Sequence, residues 1–264
     1  MTEPRPPDCV IIGGGAAGLS AALVLGRARR RVLVVDEGRQ SNLPAPAVGG
    51  LLGHDGTPPE ALYAAGRAEL AAYPSVELRP GRVVAARRGD GGFVLRLADG
   101  GEVRARLLLL AEGMVYAAPD IPGAAELWGG PVFHCPFCHG WEVRDRPLAV
   151  LGPGEEGARR ALLLRMWSPD VVLVTDGPAG LTAVRRDRLA RAGVPVEERR
   201  VVRLETAPGD GGAGLVGLRL ADGALLRRDG LLVTATPRLR SSFAEDLGAE
   251  LTERGTVRVD ELGR

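Results

Sequence analysis

The pattern that most restricts the fold of this chain is a short buried strand, a glycine-rich turn, a helix and a second buried strand. It occurs twice in the 264 residues, first at 9–36 and again at 148–176. Short alternating strands follow each copy, at 76–110 and at 201–226. Such repeated units are typical of dinucleotide-binding domains. We therefore predict an α/β protein with two Rossmann-like, three-layer dinucleotide-binding domains, the second inserted in the first.

The domain boundaries follow from where the pattern restarts. Residues 112–121 and 236–242 are the expected crossings between the two domains. The first domain is predicted at 1–113 plus 241–264, because a new element begins after Arg238. The second domain, at 114–240, carries a Cys-x-x-Cys pair near its start.

The first glycine turn meets the full context of a dinucleotide site. Gly13, Gly15 and Gly18 have the Gly-x-Gly-x-x-Gly spacing between a strand and a helix. This spacing lets the backbone approach a pyrophosphate, which then lies at the positive end of the helix dipole. The next strand ends at Asp36, where an acidic side chain accepts the ribose hydroxyls.

The second glycine turn has the same spacing but a different charge. Its glycines are Gly152, Gly154 and Gly157. The carboxylates of Glu155 and Glu156 stand inside this turn and would repel a pyrophosphate. The following strand ends at Asp176 with no arginine directly after it, so a nicotinamide cofactor here would be NADH rather than NADPH. A retained fold with an empty or weakened site is the alternative.

The Cys135–Cys138 pair is the main candidate for chemistry. A Cys₄ zinc site needs more than the three cysteines of this chain, and four ligands within 134–139 would strain tetrahedral closure. A redox dithiol fits better, with a thiolate at a helix N-terminus and a resolving partner. His134 and His139 flank the pair, and an imidazole can take and return the thiol proton. Cys9 is interpreted as a small buried strand residue.

Charge and cysteine content exclude several other classes of protein. Thirty-four basic against 33 acidic residues give a formal net charge of +1, so nucleic acid is not an expected partner. Three cysteines and a polar start without a signal-peptide pattern predict a cytoplasmic protein. The uncharged stretch 9–26 is interrupted by five glycines, so no membrane partner is expected.

These motifs together resemble the thioredoxin-reductase-like flavoproteins of the FAD-dependent pyridine nucleotide-disulfide oxidoreductase family. The resemblance covers nearly the whole chain, at 13–23, 32–38, 41–62, 107–113, 121–140 and 152–157. It implies FAD on the first fingerprint, held by Gly13, Gly15, Gly18 and Asp36, with Asn42 and Gly113 near the flavin. It also implies that Cys138 faces the flavin and that Cys135 exchanges with a small dithiol, a disulfide or a thioredoxin-like protein. A homodimer is implied as well.

Three departures from the family pattern refine these expectations. His139 stands where thioredoxin reductases proper have an acidic residue, which is more similar to dithiol oxidases acting on holomycin- and gliotoxin-type compounds. The arginine pair that binds NADPH is absent after Val174, so NAD(P)H has weak support and oxygen or another acceptor is favoured. The family continues past Val257–Asp260 with a Gly-Asp segment that contacts FAD, whereas the sequence stops at Arg264.

The expected function is therefore FAD-dependent exchange of a substrate dithiol or disulfide at Cys135 and Cys138, with His139 as the acid-base group. The alternative expectation, from the short C-terminus, is a non-catalytic redox-responsive or dimerising module that has lost stable FAD binding. Substrate and direction of electron flow stay open at this point.

Overall fold

The computed structural model describes residues 5–209 and 212–263. The chain divides into two compact units, each built on a parallel sheet, which confirms the predicted α/β class. Unit 1 comprises residues 5–43, 59–116 and 237–263, and unit 2 comprises Pro44–Pro58 and Ala117–Thr236.

Unit 1 contains a four-stranded parallel sheet with the order β3-β2-β1-β7. Its strands and helices are β1 (Cys9–Ile12), α1 (Ala16–Arg27), β2 (Val32–Asp36), α2 (Pro59–Leu70), β3 (Val76–Pro80) and β7 (Leu107–Leu110). An antiparallel meander is formed by β4 (Val83–Gly89), β5 (Gly92–Leu97) and β6 (Glu102–Ala105). The unit is completed by β8 (Met114–Val115), which pairs with β17 (Arg238–Leu239), and by α6 (Phe243–Asp246).

Unit 2 repeats this arrangement with a five-stranded parallel sheet of order β12-β11-β10-β16-β9. These strands are β9 (Val132–Phe133), β10 (Leu148–Leu151), β11 (Val171–Val174), β12 (Val196–Glu197) and β16 (Gly230–Val233). The helices are α3 (Pro136–His139), α4 (Gly154–Leu164) and α5 (Ala183–Arg191). An antiparallel meander contains β13 (Val201–Gly209), β14 (Gly212–Leu220) and β15 (Leu225–Arg227).

The apolar strand runs form three layers because alternate residues face opposite sides of each sheet. In unit 1, Ile11 and Val34 pack toward α1 and α2, whereas Val10 and Leu33 pack toward the meander. The same division occurs in unit 2, where a helix side and a meander side form separate buried clusters. Each glycine turn follows an inner strand of its sheet, β1 or β10, at the carboxyl end of that strand, where α/β proteins bind ligands.

The structure corrects the expected strand pattern at one point. The sequence predicts that the meander of unit 1 begins at Val76, but β3 instead lies parallel to β2 as an edge strand of the main sheet. Its apolar and polar residues alternate over 76–79, as those of a meander strand also do, so periodicity alone does not separate the two placements.

Neither a membrane-spanning helix nor a metal-binding cluster is found within residues 5–209 and 212–263. None of the helices within 5–209 and 212–263 combines the length and the apolar character that a bilayer crossing requires. Across the same part of the chain, no three or more His, Cys, Asp or Glu side chains are grouped so that they could hold a metal ion.

Candidate functional site

The glycine turn after β1 opens onto a cavity of about 840 Å³ in unit 1. This volume is within the roughly 300–1,000 Å³ range of small-molecule sites. The walls come from the glycine turn, the end of β2, the loop 39–42, the start of β4, the residues after β7 and residues 240–243. Gly13, Gly15, Asp36, Asn42 and Gly113 all line it, so five of the residues predicted from sequence meet at one cavity.

Gly18 lies beneath the turn and does not line the cavity. A Cβ atom at this position would be 1.9 Å from the carbonyl oxygen of Gly13, so only glycine allows α1 to pack this closely on the turn. Gly13 itself has a φ of 104° and would place a Cβ 2.4 Å from the carbonyl oxygen of Ala111. The two glycines therefore set the shape of the turn.

The carboxylate of Asp36 is held in place by two neighbours. The backbone N–H of Gly14 donates to Oδ1 at 2.9 Å, and the Gln40 amide donates to both carboxylate oxygens at 3.2 and 3.1 Å. The Gln40 amide also lies 3.2 Å from the carbonyl oxygen of Gly14. Gln40 therefore links the glycine turn to the end of β2. Gln40 was not predicted from the sequence, and its position four residues after Asp36 is the signal that could have identified it.

Asn42 is oriented by a tyrosine of α2. Its Oδ1 accepts a hydrogen bond of 2.7 Å from the Tyr63 hydroxyl, and Tyr63 also lines the cavity. Burial raises the pKa of Tyr63 above its ordinary value of 10.0, so the phenol remains a donor at neutral pH. Tyr63 is a second residue that the sequence analysis did not single out.

A carboxyl group, Glu112, lies at the end of the cavity next to Gly113. It accepts a hydrogen bond of 2.9 Å from Ser241. Burial raises its pKa, whereas the Ser241 hydrogen bond and the charge of Arg240 act in the opposite direction. This interaction ties residues 240–243 to the strand end after β7.

The helix that begins at the first turn suits a diphosphate. Its first turn contains no acidic residue, and the N-cap position is Gly15, which has no side chain to occupy the free N–H groups. Free N–H groups and the positive end of the helix dipole favour a bound anion. Together with the cavity and the Asp36 carboxylate, this arrangement fits the diphosphate and ribose of a dinucleotide.

The second glycine turn has the same backbone packing. A Cβ at Gly157 would lie 1.9 Å from the carbonyl oxygen of Gly152, as at Gly18 and Gly13. However, the N–H of Gly154 donates to the carbonyl oxygen of Ala179 at 2.8 Å. A backbone donor of this turn is therefore already engaged within unit 2.

The charged groups of the second turn are engaged as well. Glu155 is paired with Arg185 at 2.6 Å, and Glu156 is paired with Arg159 at 2.7 Å. The carboxylate of Asp176 accepts a 2.7 Å hydrogen bond from the backbone N–H of Val201. A hydrogen-bonded carboxylate at the end of the second strand is common to both turns, since Asp36 is held in the same way. The turns differ in charge, because two carboxylates occupy the first turn of α4 and none occupies that of α1.

The redox pair lies at the short helix α3 of unit 2. Cys135 is the N-cap of α3, Cys138 lies inside the helix, and a disulfide joins them with a Cα–Cα distance of 5.4 Å. Both residues are partly accessible, whereas Cys9 is buried in β1. A disulfide at a helix N-terminus and within reach of solvent is the arrangement that dithiol exchange requires.

His139 ends the same helix and presents a basic nitrogen. Its Nε2 lies 3.2 Å from the carbonyl oxygen of Gly129, so Nε2 carries the proton and donates. Nδ1 is buried and has no hydrogen-bond partner among residues 5–209 and 212–263. Burial is the main reason why the pKa of His139 lies below its ordinary value of 6.5. The imidazole is therefore neutral at pH 7, with Nδ1 as a proton acceptor.

This burial makes a pH-dependent contribution to stability. The folded state holds His139 neutral, whereas the same histidine in the unfolded chain binds a proton below about pH 6.5. Protonation of the unfolded chain therefore lowers the free energy of unfolding as the pH falls below this value, and has no effect above it. We expect the stability of the wild type relative to His139→Phe to decrease between about pH 7.5 and about pH 5.5. Urea unfolding of both proteins at each pH measures this difference, and a constant difference would contradict the assignment.

The segment Pro44–Pro58 belongs to unit 2 and approaches α3. A Cβ at Gly49 would lie 2.6 Å from the carbonyl oxygen of Cys138, which shows how closely the segment passes the helix. Two exposed aromatic side chains, Phe137 and Trp141, follow Cys135 and are each 66% accessible. Apolar surface therefore lies beside the disulfide.

Comparison with known proteins places the chain in a family. The family model described as pyridine nucleotide-disulphide oxidoreductase matches residues 7–264. The thioredoxin reductase tcpT of Claviceps purpurea is 32% identical over 270 residues, which cover 98% of this chain and 83% of that protein. A probable thioredoxin reductase of Arthroderma benhamiae is 32% identical over 176 residues, which cover 64% of this chain and only 44% of that protein.

The solved structure of HlmI is also similar. It is 40% identical, has a TM-score of 0.88, and the match covers 98% of this chain and 81% of that one. The sequence motifs, the two dinucleotide folds and the Cys135–Cys138 disulfide agree with these matches. The chain therefore belongs to the pyridine nucleotide-disulphide oxidoreductase family and is an oxidoreductase of its thioredoxin-reductase-like group.

Proposed function

We propose that the protein is an FAD-dependent oxidoreductase that exchanges a substrate dithiol with its Cys135–Cys138 disulfide. The observation that carries this proposal is the disulfide itself, partly accessible at the start of a helix and followed directly by a neutral histidine. Disulfides that serve only to stabilise a fold are uncommon in this Cys-x-x-Cys form, which suits thiol exchange.

The exchange is balanced within the two thiols of the substrate. A substrate thiolate attacks the sulfur of Cys135, which forms a mixed disulfide and releases Cys138 as a thiolate. The second substrate thiol then attacks the substrate sulfur of the mixed disulfide and releases Cys135. The substrate leaves as a disulfide, and the protein keeps the two electrons as a Cys135–Cys138 dithiol.

His139 is proposed to move the protons of this exchange. Nδ1 is the unprotonated nitrogen of a neutral ring, and it is buried beside the pair. The proton exchange is therefore proposed with the Cys135 and Cys138 sulfurs of the opened disulfide rather than with a substrate thiol in solvent. The stack of the ring on Phe133, with centroids 5.7 Å apart, and the Nε2 contact fix its orientation.

FAD is the proposed cofactor of the cavity in unit 1. We assign the diphosphate to Gly13, Gly15 and the first turn of α1. The adenosine ribose is assigned to Asp36, which Gln40 orients. Asn42 and Gly113 are assigned to the flavin side. Gly18 supports the turn from below. When bound, FAD supplies the two-electron acceptor that returns the dithiol to the disulfide.

We propose that a small dithiol is the substrate and that the electrons do not come from NAD(P)H. The engaged groups of the second turn support this choice, because a pyrophosphate would have to displace the Ala179 contact and face Glu155 and Glu156. A thioredoxin-like protein is the other substrate class that the names of relatives suggest.

We also propose that the protein is cytoplasmic and forms a homodimer.

The test is an anaerobic titration of the protein reconstituted with FAD. We expect dithiothreitol to bleach the flavin absorption band, whereas NADH and NADPH at the same concentration leave more than about nine-tenths of it after minutes. Free FAD with dithiothreitol is the control for direct reduction. Rapid bleaching by either nucleotide would contradict the proposed direction, and no response to dithiothreitol would contradict the exchange.

A further inference from the structure

A buried arginine of unit 2 contacts the backbone that leads into the redox pair. Arg160 lies on α4, its side chain is 15% exposed, and its Nη2 donates to the carbonyl oxygens of His134 and Val233. The Val233 contact is 3.0 Å long. The His134 carbonyl belongs to the same peptide unit as the N–H of Cys135, so the guanidinium is one peptide unit from the cysteine.

The position of this contact follows from the sheet. The strands β9 and β16 run parallel, with Phe133 beside Leu232; β9 ends at Phe133, and β16 ends one residue further on, at Val233. Arg160 binds the carbonyl of His134, directly after β9, and the carbonyl of Val233, the last residue of β16. The guanidinium therefore fixes the point at which the chain leaves the sheet and enters α3.

The charge of Arg160 is only weakly balanced by its neighbours. Glu156 lies 3.9 Å from Nη1 but makes closer contacts, of 2.7 and 2.8 Å, with Arg159. Nε of Arg160 is buried without a hydrogen-bond partner in the described part of the chain. A buried cation with incomplete pairing favours negative charge nearby.

We infer that Arg160 is a positioning residue for the Cys135–Cys138 couple, which it orients through the His134 carbonyl and whose thiolate form its charge favours. This inference rests on the proposed function of the pair. A nearby cation lowers thiol pKa values and stabilises the reduced state, so it raises the reduction potential of the couple. The other charged or titratable groups near Arg160 and the cysteine pair are His134, His139, Glu142, Glu156 and Arg159.

Equilibration with glutathione under nitrogen tests this inference. Two glutathione thiols reduce the protein disulfide: the Cys135–Cys138 bond breaks, the glutathione disulfide bond forms, and two protons move to the protein thiols. Alkylation of the denatured protein with a polyethylene glycol maleimide then counts thiols, and Cys9 adds one in every state. We expect Arg160→Gln to shift the equilibrium about tenfold toward the protein disulfide, which is about 30 mV.

Arg159→Gln is the matched control. It removes the same charge one residue earlier on the same helix, from a side chain that contacts Glu156 but not His134. We expect it to stay within about twofold of the wild type. An equal shift in both variants, or no shift in Arg160→Gln, would overturn the inference. A wild-type disulfide that does not respond to glutathione would instead contradict the proposed function.

Arg160→Lys separates the effect of the positive charge from the effect of the guanidinium geometry. It also provides a second variant if Arg160→Gln does not fold. Lysine keeps the charge but not the planar fork, so we expect a shift of less than about threefold. A tenfold shift in a folded Arg160→Lys protein would overturn the role of charge. The reactive thiol of the wild type, titrated by iodoacetamide, should have a pKa below about 8.5, and a value at or above this would also overturn it.

Discussion

Replacing Cys138 by serine is expected to lower dithiol turnover by about a thousandfold or more while FAD still binds. Serine has nearly the same size but its oxygen cannot form the bond to the Cys135 sulfur. Cys135 would then be a lone thiol, and a substrate dithiol would find no protein disulfide to attack, so neither a mixed disulfide nor the substrate disulfide would form. The measurement is the rate of dithiol oxidation at saturating FAD, with mass spectrometry of the protein to show that Cys135 stays a free thiol.

Cys9→Ala is the control for this variant. It removes the third thiol, which is buried in β1, and leaves the disulfide of unit 2 intact. We expect it to keep turnover within about threefold of the wild type, since Cys9 only packs in the core. If Cys138→Ser retained turnover within tenfold, the dithiol would not be part of the reaction and the assignment would be wrong.

Adding one methyl group at Gly18 is expected to weaken FAD binding by about a hundredfold, or about 2.7 kcal/mol. The new Cβ of Gly18→Ala would lie 1.9 Å from the Gly13 carbonyl oxygen, so α1 or the glycine turn must move. Either movement displaces the N–H groups assigned to the diphosphate. Flavin fluorescence during titration of the apoprotein gives the Kd.

Gly157→Ala is a closely matched control for this steric change. Its Cβ would also lie 1.9 Å from a carbonyl oxygen, that of Gly152, in the equivalent turn of unit 2. We expect the FAD Kd of this variant to stay within about threefold of the wild type, because the cavity assigned to FAD is in unit 1. Equal losses in both variants would refute the assignment of FAD to the first turn.

Much of the fold could be predicted because it depends on local sequence. The strands Cys9–Ile12 and Val32–Asp36 are apolar and β-branched, and the glycine spacing between them specifies the turn and the start of α1. The second copy follows the same rules. By contrast, the placement of β3 in the main sheet depends on which strand it pairs with, and its own pattern does not specify this.

The candidate site was predictable only in part, for a related reason. Glycine spacing and the Cys-x-x-Cys motif are local signals, and they identified residues that meet at the cavity or in α3. The partners that orient these residues come from distant positions. Arg160 is 26 residues from His134, and Val201 is 25 residues from Asp176, so neither contact has a spacing that a sequence pattern could show.

If the Cys135–Cys138 disulfide and FAD exchange electrons, the protein holds two electron pairs per flavin, and a reductive titration counts them. Dithionite is added under nitrogen to the FAD-loaded wild type and to Cys138→Ser while the flavin band is recorded. We expect the wild type to take up twice as many electrons per flavin as the variant, because the disulfide and FAD each accept a pair. Equal uptake by the two proteins would contradict it.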